Sequence, residues 1–218
     1  GHARRARRVR AGAGVRAPVK LRRLAAALVL GALASAAMLY VTEPPAPGLD
    51  PDAMSYVGAG QSLAQTGRLR MPDADWWDAD STTALAQFPA GFPIAIAAGI
   101  RTGLAPVSAA RAVEAVSTFG LVVVIVLLLD STAGAPAGLL AVLLLAATPA
   151  IFDNYIRILS EPLFLLLLAL TLSAMTLKPE RPWLAGIFGA LAELVRYSGV
   201  AVGIAAVLWS AGRSGPWR

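Results

Sequence analysis

A succession of long apolar runs limits this chain more than any other feature. Leu24 to Val41 is continuous enough to match the ~30 Å hydrocarbon core of a bilayer. Val113 to Leu129, Leu139 to Ala147, Leu163 to Leu177 and Trp183 to Ala211 follow. With 57% hydrophobic and 15% charged residues in 218, and a mean hydropathy of +0.65, there is too little polar side chain to coat so much apolar surface with water. Inside lipid the backbone must satisfy itself, which selects helices here. The expected fold class is therefore all-α: a polytopic transmembrane helix bundle. Its first extracytoplasmic loop, about 42–93, carries a short amphipathic helix.

Charge gives the bundle its orientation. The net charge of +6 comes mainly from Arg4, Arg5, Arg7, Arg8, Arg10, Arg16, Lys20, Arg22 and Arg23, ahead of the first apolar run. A basic cluster can bind nucleic acid, but beside a span it reads as a positive-inside signal, so no nucleic-acid partner is expected. Residues 1–23 are read as a disordered cytoplasmic tail, 24–212 as the membrane domain and 213–218 as a C-terminal end. The expected location is the plasma membrane, multi-pass, with the N-terminus cytoplasmic. Ala34-Ser35-Ala36 would also fit a signal-peptidase site, yet the long preceding tail and the later spans favour an uncleaved helix. The chain opens on Gly1 and stops soon after an apolar run, which leads to the expectation of a piece of a longer protein.

Between the first and second spans lies the most informative polar stretch. Asp50 suits an N-cap, Pro51 the first helical position and Gly67 a stop, so a helix is expected between them. Asp52 and Tyr56 fall four residues apart on one face, continued by Ala59 and Leu63. Further on, Asp73, Asp75, Asp78 and Asp80 surround Trp76 and Trp77. The Trp pair reads as an interfacial belt, and the aspartates as a solvated loop or a hard-cation site.

Counting crossings gives a topology. Lys178 and Arg181 should be cytoplasmic, which works only if the short run Ile94 to Ile100 does not cross. Arg111 then lies near the outer face, 130–136 inside and 153–161 outside. Trp183 to Val195 rises and Val200 to Ala211 returns; one long tilted helix burying Arg196 is the alternative. The first arrangement brings Asp52, Tyr56, Arg111, Asp153, Arg157, Glu161 and Arg196 to one side.

Several of these residues have plain structural readings. Ser160 fits an N-cap and Glu161 fits the helix dipole as well as a site. Arg111 with Glu114, and Arg196 with Glu193, have helical pair spacing, an alternative to anion binding. Tyr56 fits an interfacial anchor as well as a substrate contact. There is no Cys, and the only His is His2, which removes thiolate and imidazole chemistry from the expected repertoire. No phosphate-binding loop, Rossmann fingerprint, zinc motif or Ser-His-Asp pattern occurs.

The ordered set of Asp52-Ala53-Met54-Ser55-Tyr56, Phe88-Pro89-Ala90-Gly91-Phe92-Pro93, Ala110-Arg111-Ala112-Val113, Arg157-Ile158-Leu159-Ser160-Glu161-Pro162-Leu163 and Val195-Arg196-Tyr197-Ser198-Gly199 resembles a known group. That group is the polyprenyl-phosphate-dependent membrane glycosyltransferases of the C-type fold, which include protein O-mannosyltransferases and aminoarabinose transferases. Members often carry Asp-Glu where this chain has Asp52-Ala53, and are usually considerably longer.

The resemblance implies an enzyme that moves a sugar, with inversion, from a polyprenyl-phosphate donor to an acceptor glycan, lipid or protein on the outer face. It implies Asp52 as general base. Tyr56, Arg111, Asp153, Arg157, Glu161 and Arg196 would bind substrate, the arginines on the leaving phosphate and Glu161 on a sugar hydroxyl or a divalent metal. Beyond that metal no cofactor is implied. The bilayer itself would solvate the prenyl tail. The alternative is a non-enzymatic membrane protein, such as a transporter fragment or assembly subunit, although no internal repeat points to a transporter.

Overall fold

The structure, a computed structural model, describes residues 16–43, 50–72, 81–149, 154, 157–177 and 179–214. The described residues form eight helices and one two-stranded antiparallel sheet. The helices are α1 Arg16–Val41, α2 Pro51–Thr66, α3 Gly91–Arg101, α4 Pro106–Ala133, α5 Ala135–Ala147, α6 Glu161–Thr176, α7 Pro182–Val195 and α8 Gly199–Ser214. The strands β1 Arg70–Pro72 and β2 Thr82–Ala84 pair with Met71 opposite Thr83.

The mostly helical class is as expected, and the hairpin is an addition to it. Three-residue strands, one holding Pro72, are too short to show an alternating pattern. The aspartate and tryptophan run from Asp73 to Asp80 joins them in sequence and lies outside the described residues, as do Lys178 and residues 1–15.

At the centre is α4, packed on α1, α3, α5 and α6. It runs antiparallel to α1, and polar contacts fasten the pair at both ends. Arg23 pairs with Asp130 at 3.0 Å. At the other end Arg111 donates to the Leu39 carbonyl at 2.7 Å and to Thr42 Oγ1 at 3.2 Å. Arg23 and Leu39 are separated by ~24 Å of helix, close to the thickness of a hydrocarbon core. Between the fasteners, Ser35 donates to the Ala115 carbonyl at 2.9 Å and Gly31 meets Phe119 and Val123. Ala27, Val122 and Val126 fill the seam. Close backbone approach through small residues is how helices associate where no hydrophobic force separates them from lipid.

Two helices, Leu21–Val41 and Pro106–Ala133, are long and apolar enough to cross a membrane. Much of the apolar side chain faces outward: Leu33 is 62% exposed and Leu208 67%, with Leu140, Leu144, Ile187 and Ile204 alike. Water-soluble monomers seldom expose apolar patches so extensive.

At the Arg111 end of the bundle, α2 and α3 lie against the start of α4. Tyr56, Phe92, Ile96, Ala109, Ala110 and Ile158 form their shared core. Both ends of α3 contact elements at this end: Gly91 abuts Leu194 at the close of α7, and Gly99 abuts Ala109. Trp183 to Ala211 forms two helices, α7 and α8, rather than one long one, with Arg196 extended between them (φ −146°, ψ 141°).

Gly31→Val should separate α1 from α4. A Cβ at position 31 would sit 2.9 Å from Val123 Cγ2 and 3.0 Å from the Phe119 carbonyl oxygen, where helix backbone cannot give way. The expected cost is about 1–3 kcal/mol, read as a lowered unfolding midpoint in detergent.

Candidate functional site

The site is assembled where α2, the turn before α6 and the α7–α8 junction meet. α2 begins as its residues dictate. The Asp50 carboxylate accepts the Ala53 N–H at 2.8 Å, Pro51 takes the first turn, and Gly67 closes the helix at φ 73° with its N–H on the Leu63 carbonyl. The same Asp50 carboxylate pairs with Arg157 at 3.5 Å, tying the start of α2 to the turn ahead of α6.

One turn into α2, Tyr56 points inward and is 4% exposed. Its ring packs on Phe88 (centroids 4.8 Å apart) and edge-on to Phe92 (5.2 Å). An interfacial or displayed phenol was the expectation; the aromatic partners in 88–93 bury it instead. Its hydroxyl lies 3.4 Å from Ser160 Oγ. Burial pushes the phenol above its ordinary 10.0, aided by the Glu161 and Asp52 charges and opposed by the Ser160 hydrogen bond and Arg196.

Ser160, fully buried, is the node. It was expected to cap α6, yet its backbone is already helical (φ −78°, ψ −7°) and its side chain makes no cap bond. Its hydroxyl instead receives Arg196 Nη1 at 3.2 Å, beside Tyr56. Arg196 Nη1 also pairs with Glu161 Oε1 at 2.6 Å. The local pairing of Arg196 with Glu193 is therefore replaced: Glu193 is exposed, and the extended backbone at 196 turns the guanidinium toward α6. Glu161 Oε2 is buried with no hydrogen-bond partner among the described residues.

The other expected site residues divide. Asp52 lies in the first turn of α2, exposed, and its carboxylate makes no hydrogen bond or ion pair with any described residue. It is close enough for its charge to act on Tyr56. Arg157 is exposed and joined to Asp50. Arg111 is drawn away, its guanidinium on the Leu39 carbonyl and the Thr42 hydroxyl at the end of α1 rather than on Glu114 or the cluster. Asp153 lies outside the described residues.

Glu114, whose spacing in the sequence suggests only a helical mate for Arg111, is the most completely buried acid of the site. Its Oε1 accepts the Leu159 N–H at 2.7 Å, next to Ser160. Its Oε2 has no hydrogen-bond partner among the described residues. A carboxyl inside an apolar helix was the available sequence signal, since such groups are costly at membrane depth and rarely incidental.

Among the described residues no group of three or more His, Cys, Asp or Glu is arranged to hold a metal ion. A buried serine and phenol, one guanidinium and a carboxylate can together orient hydroxyls and offset developing negative charge. No protein family, curated protein or solved structure matches the chain.

The Tyr56 shift sets a pH dependence. Above pH 10 the folded phenol keeps a proton that the unfolded one has lost, so stability is complete below that pH and falls as pH rises past it. Tyr56→Phe should remove this component of the decline in denaturant titrations between about pH 9 and 11.

Proposed function

We propose that this chain is a polytopic membrane protein of the polyprenyl-phosphate-dependent glycosyltransferase kind, acting on the outer face of the plasma membrane. One observation carries the reading. Tyr56, Ser160, Glu161 and Arg196, far apart in sequence, converge at one end of the bundle, with the exposed carboxylate of Asp52 beside them. The outward apolar surface of the shorter helices supports further membrane contacts beyond the two long ones. The basic residues before α1 favour a cytoplasmic N-terminus, which supports the cluster's being on the opposite side.

In this reading Asp52 takes the proton from an acceptor hydroxyl as that oxygen attacks the anomeric carbon. The bond from that carbon to the phosphate oxygen breaks with inversion, and its electron pair leaves with polyprenyl phosphate. Arg196 and Arg157 would stabilise the leaving phosphate; their positions at the cluster support that, whereas Arg111 is held by α1. Glu161 orients a sugar hydroxyl. A groove of about 420 Å³ between α4, α5 and α6, walled by Leu121, Ile125, Leu128, Leu144, Leu168 and Leu172, is suited to a prenyl chain.

The rival, a non-enzymatic membrane component, draws on the pairing of Arg196 with Glu161 and of Arg157 with Asp50, which neutralises charge without any substrate. Asp52→Asn separates the two. Transfer from a polyprenyl-phosphate sugar in native membranes should fall by on the order of 100-fold or more at unchanged expression, and unchanged transfer would remove Asp52 from the mechanism. The side of the membrane is tested by thiol labelling, because the chain has no native Cys. Tyr197→Cys should react with an impermeant reagent added outside intact cells, and Ser131→Cys only after permeabilisation; the reverse pattern sinks the proposed orientation.

A further inference from the structure

Glu114 is fully buried on α4 and takes no part in the proton and phosphate steps above. Its carboxyl makes one hydrogen bond among the described residues, and that bond is to the backbone of a turn rather than to its own helix: Oε1 receives the Leu159 N–H at 2.7 Å. Leu159 precedes the residue whose hydroxyl joins Tyr56 to Arg196. Ser160 does not cap α6 with its side chain, so the turn lacks that local anchor. Arg111, one helical turn from Glu114, is held on α1, so Glu114 is not half of a local ion pair.

From this geometry we infer that Glu114 is the positioning residue of the cluster: its carboxyl fixes the Leu159 amide, which aims Ser160 Oγ between the Tyr56 hydroxyl and Arg196. The connection runs from the central helix through one backbone amide to a hydroxyl and then to the guanidinium that pairs with Glu161. A polar group this deeply buried, with a single partner among the described residues, is constrained in direction, so loss of that partner frees the turn instead of exchanging it for water. The consequence for turnover rests on the glycosyl-transfer reading; the geometry does not.

The test uses the whole protein in nanodiscs with 13C-labelled tyrosine, the Tyr56 ring resonance being assigned by its loss in Tyr56→Phe. Ser160→Ala marks the position of that resonance when the serine hydroxyl is missing. Glu114→Leu removes the acceptor, Glu114→Asp keeps a carboxyl too short to reach Leu159, and Glu114→Gln keeps an acceptor oxygen at full length. The Leu and Asp variants should move Tyr56 in the direction of Ser160→Ala, with no further movement when Glu114→Leu is combined with it. The Gln variant should stay at the wild-type position. If Leu misfolds, Asp decides alone.

Turnover of a polyprenyl-phosphate sugar should show kcat reduced on the order of 10–100-fold in the Leu and Asp variants with KM little changed, and largely restored in Gln. A Tyr56 resonance unmoved in both Leu and Asp variants overturns the inference. So does a kcat that falls as far in Gln as in Leu, which would make the ionisable carboxyl itself part of the chemistry. A wild-type protein with no transfer activity defeats the glycosyl-transfer reading, while the Tyr56 resonance still decides the role of Glu114.

Discussion

The pairing of α1 with α4 is the constraint on which the remaining structure depends. Both helices are long and apolar enough to cross a membrane, and in lipid such helices would gain little from burying apolar surface against each other, so that position would come from close backbone contact and from a few polar fasteners. Here Gly31 allows the approach, while Arg23–Asp130 and Arg111–Leu39 set its register at the two ends. Once α4 is placed, α3, α5 and α6 have a surface to pack on, and the polar end of the bundle is defined. Arg111 thus serves the framework, which explains why a guanidinium near the site does not join it.

The polar cluster follows a second rule: charged groups brought into an apolar setting must be matched. Arg196 meets Glu161 and Ser160, Arg157 meets Asp50, and the serine hydroxyl is shared with Tyr56. What stays unmatched is then informative. Asp52 projects outward without an ion pair among the described residues, and Glu114 and Glu161 each retain one buried oxygen without a hydrogen bond there. Three acids in one region thus have different surroundings: exposed, fully buried, and paired to a cation. That division is what a site needs if one carboxylate is to move a proton while the others hold geometry.

Much of this was legible along the chain. Asp50, Pro51 and Gly67 mark the ends of α2 because capping is decided within a few residues. The long apolar runs mark the apolar parts of α1 and α4 for the same local reason, although α1 begins at Arg16, inside the stretch read as a disordered tail. Where the structure departs from the sequence pattern, most departures concern choice of partner. Ser160 has the identity of an N-cap, yet it bonds Arg196 and lies beside Tyr56 once α6, α7 and α2 meet. Glu193 and Arg196 have helical pair spacing, but the helix ends at Val195 and the guanidinium leaves its face. The strands were hidden by their brevity, and Tyr56 by aromatic neighbours more than thirty residues away.

By itself, then, the sequence determined helical class, the places where most helices start and stop, the apolar exterior and the roster of ionisable groups. Each of these rests on interactions within a helical turn or on the solvent preference of single side chains. Only the tertiary structure decided that Arg111 would hold α1, that Arg196 would cross to Glu161, and that Glu114 would reach the amide of Leu159. Hydrogen bonds and ion pairs extend only a few ångströms, so their partners stay undetermined until packing brings distant segments within that reach.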